Sequence, residues 1–325
     1  MIITNNRLNW IDWAKFFGIA VVIMGHMPIS IPYVRGLIYC FHMPLFVIIS
    51  GFLFKPIGFK QELIRSFYCL IIPYLIYNSI LFTIYLFIGQ VHISECKYII
   101  LGNQEMLPHN FRIMWFIITI FTMRCLLALI HTIQYNTKTL YVLTIILSVC
   151  ITVFIKLFEM NVYKYDYFQL ATTCLLLPFF ILGIYLKKDD RILNKKMMWL
   201  LGIIVVICIA IAAFNGNINT FRNIYGKSLI LFYIAAGGIS LFVLSVIKNF
   251  FNKQNPFVQT ISTGTLLMIG FHDFFISILK NIYPVNNILI NLLYTCFIIL
   301  FFGGCIWICN KYFPILIGKY KPKRN

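Results

Sequence analysis

Charged residues are scarce in this chain, and acidic residues are the scarcest. Of 325 residues only 11% are charged, with nine Asp or Glu against 27 Lys or Arg. A soluble domain usually carries about 25% charged residues, so this chain lacks the polar surface that water requires. Because 61% of the residues are hydrophobic, the composition predicts an all-α integral membrane protein that faces lipid over most of its area.

Two further absences narrow the function classes. No Cys-x-x-Cys pair occurs among the ten cysteines, so we expect neither a metal site nor a disulfide framework. The net charge of +18 is not arranged as a basic stripe interleaved with aromatic residues, which argues against nucleic-acid binding. The positive-inside rule explains most of that charge, and the basic tail 319–324 is expected to anchor the chain on the anionic surface of the lipid bilayer.

The apolar runs predict one domain, residues 1–325, built as a bundle of about ten transmembrane helices. A helix needs about 20 apolar residues to cross a bilayer. Lys and Arg concentrate in the connections that are inside if the N-terminus is cytoplasmic, so both termini are predicted to be cytoplasmic. The longest outer connection, 90–111, is either a substrate-contacting lid or an ordinary connector. The predicted spans are 11–31, 36–54, 67–89, 112–132, 139–158, 168–186, 198–214, 228–247, 261–280 and 286–309.

One face of the first predicted helix carries three ionisable residues. Lys15 and His26 are eleven positions apart, about three turns of a helix, so their side chains point the same way and lie roughly 16 Å apart along the axis. Asp12 shares that face. An elongated anionic ligand would fit between a cation near the cytoplasmic end and an imidazole in the outer half. The alternative is that Lys15 extends to the lipid headgroups and His26 bonds a neighbouring helix.

Histidines on two other spans are expected near His26. Ionisable groups inside a membrane are costly and are functional candidates by default. His42, on the second span, is predicted at a similar depth, although a carbonyl freed at Pro44 is an alternative partner for it. His272 and Asp273 lie mid-span in the ninth helix. Adjacent residues do not share a helix face, but either one is able to reach across to His26.

The remaining ionisable candidates are Arg124 and the carboxylates. Arg124, midway along the fourth span, suits phosphate oxygens, or it pairs with Asp12 or Asp273. The other carboxylates, Glu62 among them, are assigned to loops or to their edges. This leaves few carboxylates within the bundle, so histidine is the expected base, since an imidazole titrates near neutral pH.

Taken in order along the chain, these residues resemble acyltransferase family 3, the bacterial membrane O-acyltransferases that act on surface sugars. The resemblance covers about 8–310 and is strongest to the fucose 4-O-acetylase-like branch. The first helix of that family carries a basic residue, ten further residues and a histidine, but the usual Arg is Lys15 here. The similar motifs are Leu8-Asn-Trp-Ile-Asp12, Met24-Gly-His26, Phe41-His-Met-Pro-Leu-Phe, Ile49-Ser-Gly-Phe-Leu53, Pro73-Tyr74, Met114-Trp-Phe116, Phe180-Ile-Leu-Gly183 and 262–272.

The resemblance implies a membrane O-acetyltransferase of the bacterial cytoplasmic (inner) membrane. Its donor would be cytoplasmic acetyl-CoA, and its acceptor a sugar hydroxyl of a cell-surface polysaccharide or of the lipid-linked oligosaccharide precursor. By this resemblance His26 would be the catalytic histidine, and Lys15 would contact the CoA phosphates or orient the entering donor. From their own positions we add His42 as a catalytic candidate and Arg124 as a second cation for the donor phosphates. Both direct transfer and a covalent acyl-enzyme are compatible with these residues. Residues expected to contact the substrate or to support the site are Asp12, Trp115, His272 and Asp273.

Two other interpretations compete with an enzyme. A polytopic transporter or flippase for lipid-linked saccharides would use the intramembrane His and Arg side chains to bind or gate its substrate. No internal repeat is visible, which argues against that class. An accessory membrane subunit without activity is the third interpretation, and the shared face of Lys15 and His26 argues against it.

Overall fold

The architecture is almost entirely helical. This computed structural model describes residues 7–28, 32–55, 57–133, 136–158, 160, 164–282 and 287–319. Of the predicted anchoring tail 319–324, all but Lys319 lies outside these residues. The strands within them form one short antiparallel hairpin, in which β1 (Ile218–Asn219) pairs with β2 (Ile224–Tyr225).

The helices follow one another with short connections, and a π-helical turn at Phe67–Ile71 joins the third to the fourth. In the described ranges they are α1 (Asn9–His26), α2 (Pro32–Leu53), α3 (Phe59–Ser66), α4 (Ile72–Phe87), α5 (Cys96–Ile100), α6 (His109–Arg112), α7 (Trp115–Thr132), α8 (Thr137–Leu157), α9 (Leu170–Lys188), α10 (Lys195–Asn215), α11 (Leu229–Phe250), α12 (Pro256–Thr263), α13 (Thr265–Ile282) and α14 (Ile288–Tyr312).

The multi-pass helical class is confirmed, but the count of about ten spans is not. Eight helices in the described residues are long and apolar enough to cross a membrane. A ninth span requires α12 and α13 to act together across a bend of 78°. Helix α1 falls outside this count because Asp12, Lys15 and His26 dilute its apolar content. The cytoplasmic position of both termini stays a prediction.

Two glycines let α2 and α9 approach at backbone distance. A Cβ on Gly51 would lie 2.0 Å from the carbonyl oxygen of Phe180, and a Cβ on Gly183 would lie 2.1 Å from that of Ile48. Neither distance is possible for a real side chain, so only glycine fits at either position. Small residues at such crossings are typical of helix packing in membranes. This contact fixes α2, the helix that carries His42, in the centre of the bundle.

Polar contacts hold both ends of α1. At its start, Asp12 accepts a hydrogen bond from Arg7 Nε at 2.6 Å and another from Ser262 Oγ at 2.6 Å. At its end, Lys280 Nζ donates to the carbonyl oxygen of His26 at 3.2 Å, where a cation also opposes the negative end of the helix dipole. Ser262 belongs to α12 and Lys280 to α13, so these two contacts set the depth of His26.

Candidate active site

A cavity of about 840 Å³ opens where α1 ends and α2 begins. Its walls come from the first turns of α2, the segment from α6 into α7, the end of α10 and the β-hairpin. His42 and His272 are almost fully buried, 4% and 1% exposed, and form its floor. His26 also lines this cavity. The structure therefore brings together three of the histidines that the sequence singled out.

His26 and His109 both contact the carboxylate of Asp273, which lies beside the cavity floor. Nδ1 of His26 lies 3.6 Å from Oδ1 of Asp273, and Nδ1 of His109 lies 2.8 Å from Oδ2 of the same carboxylate. Asp273 is buried, 2% exposed. A carboxylate beside Nδ1 favours the tautomer that keeps the proton there, which leaves Nε2 of His26 as the basic nitrogen.

His272 approaches the same imidazole from a different direction. Its ring meets that of His26 edge to face, with centroids 4.9 Å apart. Its Nδ1 lies 2.9 Å from the carbonyl oxygen of Met268 and 3.1 Å from that of Ile269, while Nε2 is buried without a hydrogen-bond partner. Successive residues on a helix are about 100° apart, so His26 lies over the groove of α13 between His272 and Asp273.

His42 is oriented by its own helix. Its Nδ1 lies 2.6 Å from the carbonyl oxygen of Ile38, four residues earlier. Pro44 removes the hydrogen bond to the carbonyl of Cys40, so the carbonyl freed by the proline is not the partner of His42. The ring of Tyr39 stands 5.2 Å from His42 and 6.0 Å from His26. It therefore connects the two imidazoles along the cavity wall.

The segment 90–111 contributes to the cavity through its last residues. His109 and Arg112, one helical turn apart in α6, both line it. The sequence is compatible with either a lid or an ordinary connector over 90–111, and the residue of this segment that lines the cavity is His109. Its contact with Asp273 places the end of the segment over the reactive groups.

Arginines and aromatic rings, most of them missed at the sequence level, form the rest of the wall. Arg35, Arg112 and Arg222 line the cavity, and none of the described lining residues is acidic. Trp115, expected from the resemblance, lines it as well, with its ring 5.9 Å from that of Phe221. Long exposed arginines in loops and helix ends carry no periodic signal, so only the folded chain reveals that they converge.

Arg124 lies outside the cavity lining and pairs with a carboxylate that the sequence analysis placed wrongly. Its Nε donates to Oε1 of Glu62 at 2.6 Å and to Oγ of Ser66 at 3.1 Å. Glu62 is fully buried in α3, not at a loop edge. The candidate partners Asp12 and Asp273 are engaged elsewhere. The guanidinium of Arg124 thus joins α7 to α3.

Lys15 and Asp12 lie toward the opposite end of α1 from the cavity. Within the described part of the chain, Nζ of Lys15 makes no hydrogen bond or ion pair, although Asp12 is one turn away. Asp12 itself is held by Arg7 and Ser262. No group of three or more His, Cys, Asp or Glu side chains among the described residues is placed to hold a metal ion.

These features define a multi-pass membrane protein with an imidazole–carboxylate cluster at the floor of a polar cavity. The model of acyltransferase family 3, described as an acyltransferase domain, matches residues 8–310, nearly the whole chain. The chain belongs to this family and is a membrane acyltransferase. Searches of curated proteins and of solved structures found no match.

Proposed function

We propose that the protein transfers an acetyl group from cytoplasmic acetyl-CoA to a sugar hydroxyl of a bacterial cell-surface polysaccharide or of its lipid-linked precursor. The observation that carries this proposal is the contact of His26 with Asp273 and His272 on the cavity floor. An acyltransferase needs a base beside the acceptor hydroxyl, within reach of one proton transfer. His26 and His109 both have the Asp273 carboxylate at Nδ1 and both line the cavity. We assign the base to His26, because its side chain is 19% exposed against 68% for His109 and its ring packs against that of His272.

The reaction follows from the orientation of this imidazole. Nε2 of His26 takes the proton of the acceptor hydroxyl as its oxygen forms a bond to the acetyl carbonyl carbon. The carbon–sulfur bond of the thioester then breaks, and the proton passes to the departing CoA sulfur. Asp273 holds the ring and stabilises the imidazolium formed between these steps, the role that an acid plays beside a catalytic histidine. His272 and His42 bound the space in which the hydroxyl lies.

The cavity wall supports a sugar acceptor. Tyr39, Trp115 and Phe221 offer aromatic faces to the apolar C–H faces of a pyranose. Asn217 and Asn219, at the β-hairpin, offer amide groups to its hydroxyls. Apolar walls with a few convergent polar groups are typical of small-molecule sites, and this combination of side chains suits a carbohydrate.

Lys15 is the cation proposed for the donor phosphates. It lies roughly 16 Å from His26 along α1, and the reactive thioester of CoA is likewise far from its phosphates. Glu62 and Ser66 engage the Nε–H of Arg124, so Arg124 has no place in the proposed donor site. In this arrangement the donor approaches from the predicted cytoplasmic side and the acceptor from the cavity.

The test compares His26→Ala with His92→Ala, a matched change at an exposed histidine outside the cavity lining. We expect His26→Ala to accumulate in the membrane but to lose the acetyl esters of the surface polysaccharide, measured by NMR. Removal of a general base costs about 10²–10⁴-fold in rate. His92→Ala should leave the ester content unchanged. Full ester content in His26→Ala would show that the proposed role is wrong.

A further inference from the structure

Three arginines, Arg35, Arg112 and Arg222, line the cavity, and none of its described lining residues is a carboxylate. Arg112 and Arg222 share one carboxylate: NH2 of Arg222 lies 2.6 Å from Oε1 of Glu105, and NH1 of Arg112 lies 3.7 Å from the same oxygen. Within the described residues Arg35 has no ion-pair partner. The charge of Arg35 therefore adds to this wall of the cavity without a counter-charge among the described residues.

Arg35 and Arg112 are each connected to the His26 cluster through one intervening side chain or helical turn. The guanidinium carbon of Arg35 is 5.4 Å from the ring centroid of Tyr39, which is 6.0 Å from the ring of His26. Arg112 is one turn from His109, whose Nδ1 contacts Asp273. One aromatic ring thus separates Arg35 from His26, and Arg112 is one turn from the histidine that shares Asp273 with His26.

The side chains that line the cavity become less exposed from its opening to its floor. Arg35 is exposed and Arg112 is partly buried, while His272 and His42 on the floor are almost inaccessible. An acceptor entering from solvent meets guanidinium groups first and the imidazole last. Guanidinium groups bind carboxylate and phosphate oxygens through paired hydrogen bonds. This electrostatic interaction is weak in water and stronger in a partly enclosed cavity, where the effective dielectric constant is lower.

We propose that the acceptor carries a negative charge, a carboxylate or a phosphate ester, which Arg35 and Arg112 bind while the neighbouring hydroxyl reaches His26. The acetyl transfer in this inference rests on the proposed function, whereas the anion-binding site is argued from the arginines alone. The charge selects the acceptor and sets its orientation. The shared chemistry is an oxyanion, and an acidic sugar or a phosphorylated one would supply it.

The first experiment measures binding to the full-length protein in detergent by calorimetry. One pair of probes, p-nitrophenyl glucuronide and p-nitrophenyl glucoside, differs only in the carboxylate. A second pair, glucose 1-phosphate and methyl glucoside, tests the phosphate. We expect the charged member of at least one pair to bind about tenfold tighter or more, and added salt to weaken that preference. The pair with the larger preference identifies the anion.

The variants are Arg35→Gln and Arg112→Gln, alone and combined, with Arg65→Gln as the matched control. Arg65 is exposed on α3 and does not line the cavity. We expect each cavity variant to weaken the charged probe about tenfold and to leave the neutral probe unchanged. Arg35→Gln breaks no ion pair among the described residues, so it keeps the test informative if Arg112→Gln fails to fold.

Equal binding of charged and neutral probes by the unaltered protein would overturn this proposal, as would a preference that survives in both cavity variants. A raised KM for acetyl-CoA with unchanged acceptor preference would also overturn it, since the arginines would then hold the donor. If the preference depends on the arginines but His26→Ala keeps full ester content on the polysaccharide, the anion site stands and the proposed function fails. If His26→Ala loses the esters but the protein binds charged and neutral probes equally, the proposed function stands and the anion site fails.

Discussion

His26 and Asp273 lie 3.6 Å apart, Nδ1 to Oδ1, although α1 and α13 are at opposite ends of the sequence. The carboxylate is buried and is shared with His109 at 2.8 Å. A buried carboxylate is stable only when its oxygens have partners. The contact therefore holds together the end of α1, the middle of α13 and the short helix α6, and it fixes the His26 ring at the cavity floor.

Removal of the Asp273 charge should slow catalysis more than it weakens binding. In Asp273→Asn the ring of His26 loses the group that orients it and that stabilises its charged form, so we expect kcat to fall roughly 100-fold or more. The KM for the acceptor should change little, because Asp273 does not line the cavity. Steady-state kinetics on the purified protein measure both constants.

Asp189→Asn is the control for this change. Asp189 is exposed, and the hydrogen bonds from Arg191 lower the pKa of its carboxyl to about 2, so it is ionised throughout the assay range. Its removal should leave kcat unaltered. If Asp273→Asn keeps normal kcat, or loses activity only through a raised KM, then Asp273 does not position His26. Asp273→Glu should recover part of the activity.

Substitution of Lys15 tests the direction of donor approach. Lys15→Ala removes the cation proposed for the CoA phosphates, so we expect the KM for acetyl-CoA to rise about tenfold with little change in acceptor preference. Lys15→Arg, which restores the residue usual in the family, should keep a low KM. A change confined to acceptor preference would move Lys15 to the acceptor site.

The ion pair of Glu62 with Arg124 should be structural. Glu62→Gln leaves a mostly buried guanidinium without its counter-charge, which costs about 3–5 kcal/mol of stability for buried pairs in general. We expect a clear loss of thermal stability in detergent. The double variant Glu62→Gln/Arg124→Gln should recover much of it, since no charge is then left unpaired.

The KM for acetyl-CoA tests the alternative role of Arg124, which is to bind the donor. A double variant that folds should keep its KM for acetyl-CoA if Arg124 has only this structural role. A large increase in that KM would return Arg124 to the donor site.

The crossing of α2 and α9 should tolerate no side chain at Gly183. In Gly183→Ala the new Cβ meets backbone atoms of α2, which cannot rotate away, so the helices must separate. We expect a loss of about 1–3 kcal/mol or more, typical of overpacking, seen as reduced thermal stability. Gly304→Ala is the control, because a Cβ there meets nothing within 4 Å. Equal stability of the two variants would refute this account of the crossing.

The sequence alone determined the membrane class and most of the helix boundaries. Both follow from local properties, since the length of an apolar run and the placement of its charges do not depend on distant residues. The face shared by Lys15 and His26 is local in the same sense, because helical geometry fixes it. The family resemblance was also visible, since its motifs are short and contiguous.

Only the tertiary structure decided which groups meet His26. The choice of Asp273 and His272 depends on how α13 turns against α1. The contribution of His109, Arg35 and Arg112 depends on where connections of weak periodicity return to the bundle. Glu62 was misplaced because its polar neighbours in sequence resemble a loop, and its burial is possible only through Arg124, 62 positions away. A fully buried carboxylate needs a counter-charge, and pairing across a long separation in sequence is a property of the folded chain.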